Sequence, residues 1–543
     1  MLLLLTKMNC NLFLAALLLP VTVVVAVAAT ERVHLKNLIR ELEQKTEESS
    51  SSSYEDMSFA TKFYANQTLD HTSPFSPSNP TWSHRYLVND TYFGTAPLSE
   101  DCPGPIFLYM GGESDIVHYA GSYNGFMKYL TAKYGGLMLL FEERYYGESV
   151  PTEGYTYLTT QQVLEDAVQL LPIVKTEYGA QNCPTIAFGG SYAGTLAAFL
   201  RSAYPFAVQG ALSSSAEFGY YDLAGWEERG IDKMTFSEII GKEYAKTDGC
   251  LQAIWDATDL MHETDDADLI QTFNLCDATA LKPVKSSLFT YDLEGLVQGN
   301  YPYAIGSHPA WPVEHACQIM LNAALPLLER AAQVLFIIEG TSKDGKCIPT
   351  PDSGPGNIPG DGPGPGSWGY QSCTETLHEF SSTGRGGTGV RYFTYEEEAG
   401  PLIETQCMDR NGVVPDQNVL TMRYGGFDIA QTTSNTIFSM GTIDPWGGAA
   451  ILSTDGGPDA SSRGVHFFEL EDAAHHLDLR GWNEADPAQV TAARREEEAI
   501  IMGWVREYVG GSSPDTSSSC ARYGNYHICL MLCSILLFVF AVL

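Results

Sequence analysis

The sequence predicts an α/β protein with a largely parallel sheet that is interrupted by a helical insertion. Short apolar segments alternate with helix-like segments before about residue 216 and again after about residue 420. This alternation is typical of a parallel sheet covered by helices. Between the two regions the chain has more helical stretches and most of its cysteines. One α/β domain split by a cap accounts for both patterns.

The first part of the domain, residues 59–216, contains three predicted strands. They are the apolar segments Ile106–Met110, Leu137–Phe141 and Thr185–Phe188. A helix is predicted over Gln161–Tyr178, because five apolar residues recur on one face: Val163, Leu164, Ala167, Leu170 and Leu171. Another apolar helix is predicted over Leu196–Leu200.

The insertion is predicted over residues 217–420, with a helical stretch at Ala316–Val334 and a Pro/Gly-rich surface loop at 351–366. The second part of the domain, residues 421–510, restores the α/β pattern. It has strand candidates at Thr436–Met440 and Val465–Phe468 and a helix candidate at Ala488–Val509.

Both ends of the chain carry apolar segments that resemble targeting signals. Residues 1–29 combine Lys7, an apolar stretch and small residues, which predicts a cleaved secretory signal, with a membrane anchor as the alternative. Residues 30–58 are predicted to form a flexible arm. Residues 511–543 place small residues at Ser517–Ala521 before the apolar run Ile528–Leu543. This order favours a glycolipid-anchor signal, and a membrane-spanning tail remains an alternative.

Composition restricts the partners of the protein. Asp and Glu number 66 and Lys and Arg number 31, so the formal net charge is −35. A polyanion is repelled by phosphate backbones, which argues against nucleic acid as a partner. The sequence leaves the oligomeric state open, with a homodimer among the alternatives. Sequons at Asn66 and Asn89 fit export.

The cysteines of the body favour disulfides rather than a metal site. Eight of them form an even set without a close CxxC pair: Cys102, Cys183, Cys250, Cys276, Cys317, Cys347, Cys373 and Cys407. In an exported chain such a set predicts disulfides, although their pairing does not follow from the sequence. No metal and no cofactor is expected.

The clearest chemical motif is Ala187-Phe-Gly-Gly-Ser-Tyr-Ala-Gly-Thr195. A strand runs through small residues into a helix, with Ser191 at the turn. This is the context of a nucleophile elbow, although the last glycine of G-x-S-x-G is Ala193 here. The alternative is a glycine-rich turn without chemistry.

A serine nucleophile needs a general base and an orienting acid, which α/β-hydrolases supply in the order Ser, acid, His. Asp444 follows the predicted strand Thr436–Met440, and the pair His475-His476 follows the strand Val465–Phe468. The order is therefore the expected one. The residues alone do not decide which histidine of the pair is the base.

The chain resembles the secreted serine peptidase family of lysosomal Pro-Xaa carboxypeptidase and dipeptidyl peptidase II from about residue 59 to 507. Ordered motifs carry the resemblance: Gln67–His71, Arg85–Asp90, Arg144–Ser149, Gly189–Tyr192, Asn300–Tyr303, Pro309–Pro312, Trp368 with Tyr370–Gln371, Cys373–Glu375, Tyr424–Gly426, Ile443–Trp446, Ala474–Arg480 and Asp486–Pro487. The resemblance implies an α/β-hydrolase fold with a helical, disulfide-rich domain inserted over the active site.

The resemblance also implies roles for individual residues. Ser191 matches the nucleophile, Asp444 the acid and His475 the catalytic base. The backbone N–H of Tyr192 is expected to donate to the oxyanion. A second donor is expected from the loop after Ile106–Met110, near Gly112.

Two departures from the family bear on specificity. Family members commonly carry His where this chain has Glu143, and Thr195 replaces a common Met. Thr195 is expected to touch the substrate and to reshape a proline pocket. Trp446 is expected to form an apolar wall of that pocket, with core packing as the alternative. Glu113 or Glu375 is a candidate anchor for a charged substrate end, with a structural role as the alternative.

These observations predict a serine exopeptidase that cleaves after a penultimate proline or small apolar residue. The end that it recognises stays open; the excess of acid slightly favours binding of an N-terminal amine over a C-terminal carboxylate. The alternatives are an esterase-like serine hydrolase and a catalytically inactive surface receptor. The expected location is the secretory pathway, ending in lysosome or vacuole, at the cell surface or outside the cell.

Overall fold

The computed structural model describes residues 57–73, 80–276, 287–348, 366–384, 387–390, 392–393, 400–416 and 418–510. The predicted signal peptide, the arm up to residue 56, the loop over 351–365 and the segment 511–543 lie outside the described residues. No helix in the described ranges has both the length and the apolar character needed to cross a membrane.

The centre of the molecule is an eight-stranded sheet in the order β1-β2-β4-β3-β5-β6-β9-β10. Its strands are β1 (Ala60–Thr68), β2 (Thr81–Asn89), β3 (Ile106–Met110), β4 (Leu137–Phe141), β5 (Thr185–Gly190), β6 (Gly210–Ser214), β9 (Thr436–Gly441) and β10 (Val465–Leu470). The first two strands form an antiparallel hairpin, and β2 is antiparallel to β4. All the later neighbours are parallel.

Helices cover both faces of this sheet, because its central strands are buried on both sides. In β3, Ile106 and Leu108 pack into one core while Phe107 and Tyr109 pack into the other. The first core includes apolar residues of α2 (Thr160–Glu177) and α3 (Tyr192–Ala203), and the second includes residues of α1 (Gly125–Tyr134) and α15 (Ala488–Tyr508). Strands enclosed in this way need the continuous apolar runs that the sequence shows.

The chain between β6 and β9 forms a mostly helical cap. Its helices are α4 (Leu223–Arg229), α5 (Thr235–Ala245), α6 (Cys250–Glu263), α7 (Asp266–Thr272), α8 (Ser287–Gln298), α9 (Pro312–Met320), α10 (Leu327–Ile338), α11 (Ser367–Thr374), α12 (Gly400–Asn411), α13 (Val419–Tyr424) and α14 (Ile429–Thr432). A short antiparallel pair, β7 (Ser382–Thr383) and β8 (Tyr392–Phe393), completes it. The predicted α/β-hydrolase fold with a helical, disulfide-rich insertion is confirmed.

One helix prediction is wrong within the cap. The stretch Ala316–Val334 is divided between α9 and α10. Pro326 stands directly before α10 in an extended conformation, with ψ 146°. Proline lacks an N–H and disfavours helical backbone in the residue before it, so a continuous helix cannot pass this point.

Four disulfides join the eight body cysteines: Cys102–Cys183, Cys250–Cys317, Cys276–Cys347 and Cys373–Cys407. The first ties the loop before β3 to the segment before β5, and the other three lie within the cap. In the chain-entropy model, each loop of this size stabilises the fold by about 4 kcal/mol. The prediction that disulfides cross-link the insertion is confirmed.

Candidate active site

The turn after β5 has the geometry of a nucleophile elbow. Ser191 has φ 59° and ψ −133°, a conformation that costs a non-glycine residue about 1–3 kcal/mol. Its N–H donates to the carbonyl of Ser214 at 2.9 Å. A Cβ at Gly189 would lie 1.9 Å from the carbonyl oxygen of Ala193, so glycine is required there. The small residues of the motif therefore permit the tight turn that presents the Ser191 hydroxyl.

The carboxyl ends of the parallel strands bring the predicted groups to one edge of the sheet. Gly112 follows β3, Ser191 follows β5, Asp444 follows β9 and His475 follows β10. The histidine loop lies against the elbow, because a Cβ at Gly190 would contact the ring of His476 at 3.0 Å.

Asp444 and His475 form a buried hydrogen-bonded pair. His475 Nδ1 lies 2.8 Å from Asp444 Oδ2, and both residues are almost fully buried. Asp444 also accepts a hydrogen bond from the backbone N–H of Trp446 at 3.1 Å. Within the described part of the chain, His475 Nε2 has no hydrogen-bond partner. The pair therefore holds Nδ1 at the acid and leaves Nε2 available for a serine hydroxyl.

The cap fixes the backbone of the histidine loop. The N–H of His475 donates to the carbonyl of Gln298 at 3.1 Å, and its carbonyl accepts from the hydroxyl of Tyr301 at 3.0 Å. Both partners belong to the inserted region, since Gln298 ends α8 and Tyr301 follows it. The insertion thus helps to position the imidazole.

His476 occupies a different environment from His475. Its backbone N–H donates to the hydroxyl of Ser215 at 2.7 Å, and the two imidazole rings lie 4.5 Å apart. Burial and the positive charges of His475 and Arg480 lower the pKa of His476 well below its usual value. The geometry thus places the first histidine, rather than the second, on the acid.

The loop after β3 lies beside the first turn of α3. A Cβ at Gly112 would stand 3.6 Å from the Cβ of Ala193 and 3.1 Å from the hydroxyl of Tyr119. Tyr192 is the first residue of α3 and follows Ser191 directly. The two predicted oxyanion donors, Gly112 and Tyr192, therefore belong to segments that meet at the elbow.

An aromatic group adjoins the Asp444–His475 pair. The half-buried ring of Trp446 lies 6.5 Å from that of His475. Four further rings surround it at 4.9–5.8 Å: Phe236 from α5, Tyr220 from the segment after β6, and His378 and Phe380 from the segment before β7. The cap and the sheet domain together build this apolar wall.

Two acidic residues, Glu113 and Glu217, lie in the same region. Burial, with a smaller contribution from Glu217, raises the pKa of Glu113 to about 7, and the charge of His475 opposes this rise. Glu217 is itself buried, accepts a hydrogen bond from the Tyr221 hydroxyl and lies 3.2 Å from His378 Nε2. Glu113 is therefore neutral in acid and ionised above neutrality.

Two other predicted residues have structural surroundings. Thr195 is fully buried within α3, so its side chain is not exposed to a substrate in this structure. Glu375 accepts hydrogen bonds from the N–H and the hydroxyl of Thr160, at 2.6 and 2.8 Å. Thr160 is the first residue of α2, and the first N–H groups of a helix have no acceptor within the helix. The Glu375 carboxylate supplies an acceptor for one of them.

The two sequons differ in accessibility. Asn66 is exposed on β1. Asn89, at the end of β2, is buried, and its side-chain nitrogen donates to the carbonyl of Ser58 at 2.6 Å. A glycan on the folded chain is therefore easier to accommodate at Asn66.

The sequence reasoning did not assign roles to three further groups near the elbow. Glu143 was noted only as a departure from the family, and Glu217 and His378 lie in no quoted motif. Their proximity depends on the cap returning over the sheet, which the sequence does not show. Among the described residues, no cluster of His, Cys, Asp or Glu is arranged to hold a metal ion.

Comparison with known proteins agrees with this geometry. The family model for serine carboxypeptidase S28 matches residues 67–497. The chain belongs to the serine carboxypeptidase S28 family. It is thus a serine-type peptidase, and the resemblance stated from the motifs is confirmed.

Proteins of similar sequence match most of the chain. Lysosomal Pro-X carboxypeptidase of Homo sapiens is 30% identical over 470 residues, which is 82% of this chain and 88% of the relative. The Mus musculus protein of the same name is 30% identical over 468 residues, with 82% and 89% covered. Prolyl carboxy peptidase like protein 5 of Caenorhabditis elegans is 28% identical over 480 residues, with 80% and 88% covered. The lysosomal relatives and the disulfides fit a protein of the secretory pathway.

Proposed function

We propose that this protein is a serine exopeptidase that cleaves after proline or a small apolar residue, with Ser191, His475 and Asp444 as its catalytic triad. The observation that supports this most directly is the 2.8 Å contact between His475 and Asp444 beside a strained serine turn. The available Nε2 of His475 is the atom that a serine mechanism requires.

In the proposed mechanism, His475 Nε2 takes the hydroxyl proton of Ser191 as the serine oxygen attacks the scissile carbonyl. Asp444 holds the Nδ1–H tautomer and stabilises the imidazolium. The N–H groups of Tyr192 and Gly112 stabilise the oxyanion. His475 then gives the proton to the departing amine, and the acyl group stays bound to Ser191 as an ester. Water, deprotonated by His475, hydrolyses this ester and regenerates the serine.

The aromatic group around Trp446 is the proposed pocket for the residue before the scissile bond. A proline ring is apolar and rigid, so it loses little entropy on binding between aromatic faces. Phe236 and Trp446 pack edge to face, with ring centroids 4.9 Å apart, and together form one apolar surface against which such a ring would lie. Small apolar residues would fit the same space with less buried area and lower affinity.

Release of a C-terminal residue is the mode that we propose first, because the mammalian relatives are named Pro-X carboxypeptidases. Glu113 supports this mode in acid. Since the pKa of Glu113 is raised to about 7, its neutral carboxyl group can donate a hydrogen bond to a substrate carboxylate below that pH.

Release of an N-terminal dipeptide is the second candidate, and the same acids favour it at higher pH. Above about pH 7, Glu113 is ionised and can attract a substrate ammonium group together with Glu217. The two modes therefore make opposite demands on the charge of Glu113.

End-blocked peptides distinguish these modes. We expect an Ala-Pro-Phe peptide with an acetylated N-terminus to be cleaved at pH 5, with release of Phe detected by mass spectrometry. Amidation of the C-terminus should abolish this cleavage. The opposite pattern, with Ala-Pro as the product, would establish the dipeptidyl mode. Cleavage that is indifferent to both blocks would contradict the exopeptidase proposal, and hydrolysis of simple esters alone would favour an esterase.

The final location is also proposed rather than established. We propose an acidic compartment such as the lysosome or vacuole, because a neutral Glu113 suits carboxylate recognition there. Surface retention through the predicted anchor segment 511–543 is the alternative. Release of the protein from intact cells by a phospholipase specific for glycolipid anchors would show the second location.

A further inference from the structure

Glu143 lies in a buried hydrogen-bond network that joins the cap to the nucleophile elbow. It follows β4, and its side chain is fully buried. Its Oε1 accepts hydrogen bonds from Gln371 Nε2 at 2.7 Å and from the Tyr192 hydroxyl at 3.2 Å. Gln371 Nε2 also donates to the Tyr192 hydroxyl at 2.9 Å. Three elements, the segment after β4, helix α3 and cap helix α11, thus meet at one carboxyl group.

Further contacts on the cap side hold Gln371 and Tyr192 in this network. The hydroxyl of Tyr146 donates to Oε1 of Gln371, which fixes the orientation of the glutamine amide. The ring of Tyr192 also contacts that of Trp368, at 5.1 Å between centroids. Both Trp368 and Gln371 belong to α11. The cap therefore holds the side chain of the residue that follows Ser191.

We propose that Glu143 is a positioning residue that holds Tyr192 in place through this network with its carboxyl group in the neutral, protonated form. This inference rests on the proposed function, because Tyr192 matters most if its N–H stabilises the oxyanion. Glu143 itself touches neither the substrate nor the reacting atoms in this account.

The distribution of hydrogen bonds supports the neutral form. Both donors reach Oε1, whereas Oε2 is buried without a partner among the described residues. A carboxylate would leave a charged oxygen without a donor, which costs far more than a neutral group in the same place.

The surrounding charges act in the same direction. Burial raises the pKa of Glu143 well above its usual value, and Glu113 and Glu375 raise it further through repulsion. Glu113 belongs to the loop after β3, and Glu375 is the residue that follows α11. The hydrogen bonds from Gln371 and Tyr192 oppose this effect but do not reverse it.

Ionisation of Glu143 would therefore disturb the elbow rather than the binding of substrate. A buried charge with one unpartnered oxygen would draw new donors or water and release Tyr192 from its present position. Since Tyr192 is the first residue of α3, its N–H would move relative to Ser191. Small displacements of a catalytic group lower the rate of the chemical step while ground-state binding changes little.

The test compares Glu143→Gln, which is always neutral and has the same shape, with Glu143→Ala and Tyr192→Phe. Exposed Glu153, in the same connection between β4 and α2, supplies the control Glu153→Gln. With a peptide substrate at pH 5, we expect Glu143→Gln and the control to keep kcat within about twofold. The other two variants should lower kcat roughly tenfold to a hundredfold, with KM within about twofold.

Infrared difference spectra between the wild-type protein and Glu143→Gln at pH 6 give an independent readout. Bands of other protonated acids cancel in the difference, which should retain one carbonyl stretch of a protonated, buried carboxylic acid that the wild-type protein has and Glu143→Gln lacks. Absence of this band, or an equal loss of kcat in Glu143→Gln and Glu143→Ala, would overturn the proposal. If the wild-type protein cleaved no peptide, the proposed function would fail, and the infrared band would still report the state of Glu143.

Discussion

Glu143 and Arg144 are neighbours in the chain, but their side chains point into two regions of the molecule and have different kinds of partner there. Arg144 points towards the β1–β2 hairpin and donates two hydrogen bonds to Asp166 on α2, at 2.6 and 2.7 Å. Glu143 points towards the elbow, where its partners are the neutral groups of Gln371 and Tyr192. Both acids, Asp166 and Glu143, are fully buried. One has a buried cation and the other has none.

The difference shows that burial alone does not decide the charge of an acid. Burial would raise the pKa of Asp166, but Arg144 and His71 lower it overall. At Glu143 burial acts without a cation and the pKa rises. Asp166 is thus stabilised as a carboxylate by its cation, whereas Glu143 has no cation to offset its burial.

Asp444, the buried acid of the proposed triad, is a third case, in which an imidazole is the partner. We expect Asp444→Asn to lower kcat about 10⁴-fold, because the amide favours the wrong tautomer of His475. The unfolding midpoint should change little, since Asn keeps an oxygen for the Trp446 N–H. Steady-state kinetics with an X-Pro-Y peptide measures the effect. A variant that kept a tenth of the wild-type kcat would contradict the role of Asp444.

The variant Arg144→Met tests whether the buried carboxylate of Asp166 depends on its cation. This change leaves Asp166 buried without its cation, and the expected loss of stability is about 3–5 kcal/mol. Denaturant unfolding, followed by tryptophan fluorescence, measures it. The matched control is Arg423→Met, because Arg423 is exposed and contacts Gln161 at the surface; its effect should stay within about 0.5 kcal/mol. Similar unfolding curves for both variants would remove the contrast between the two regions.

Glu497 on α15 is another fully buried acid without a cation bonded to it among the described residues. Burial and the nearby Asp478 raise the pKa of Glu497 well above its usual value. An acid with a raised pKa stabilises the fold below its unfolded-state pKa and loses this contribution as the pH rises towards the folded-state pKa. Asp166, with a lowered pKa, changes only in more acidic solution.

We therefore expect the free energy of unfolding to fall between about pH 5 and 7, and Glu497→Gln to reduce the magnitude of this slope by at most about 1.4 kcal/mol per pH unit. Denaturant unfolding at pH 5, 6 and 7 gives this slope. Exposed Glu484 supplies the control Glu484→Gln, which should leave the slope unchanged. An identical slope in the wild-type protein and Glu497→Gln would show that this acid is ionised in both states.

The sequence predicts the buried parallel strands well and the edge of the sheet poorly. Strands β3 and β4 are continuous apolar runs, so their predicted bounds match the structure. Strands β1 and β2 were not predicted, because β1 is a mostly exposed edge strand with many polar residues. Strand β6, Gly210–Ser214, was also missed, since its small and polar residues do not form an apolar run.

The site likewise contains residues that the sequence predicts and contacts that it does not. Ser191, Asp444 and the pair His475-His476 follow strands at one edge of the sheet, so their order in the chain selected them, and the family resemblance then selected His475. The disulfide pairs, and the contacts of Glu217 with His378 and of Glu143 with Gln371, join positions that are distant in the chain. Such contacts depend on how the cap folds back over the sheet, which local patterns do not encode.

The central claim is that Ser191 is the activated nucleophile of the Ser191–His475–Asp444 arrangement. Reaction with a fluorophosphonate, followed by intact mass spectrometry, tests it most directly. We predict that the wild-type protein gains one phosphonyl group, that Ser191→Ala gains none and that His475→Ala reacts far more slowly. Equal labelling of the wild-type protein and Ser191→Ala, or no labelling of the wild-type protein, would contradict the account.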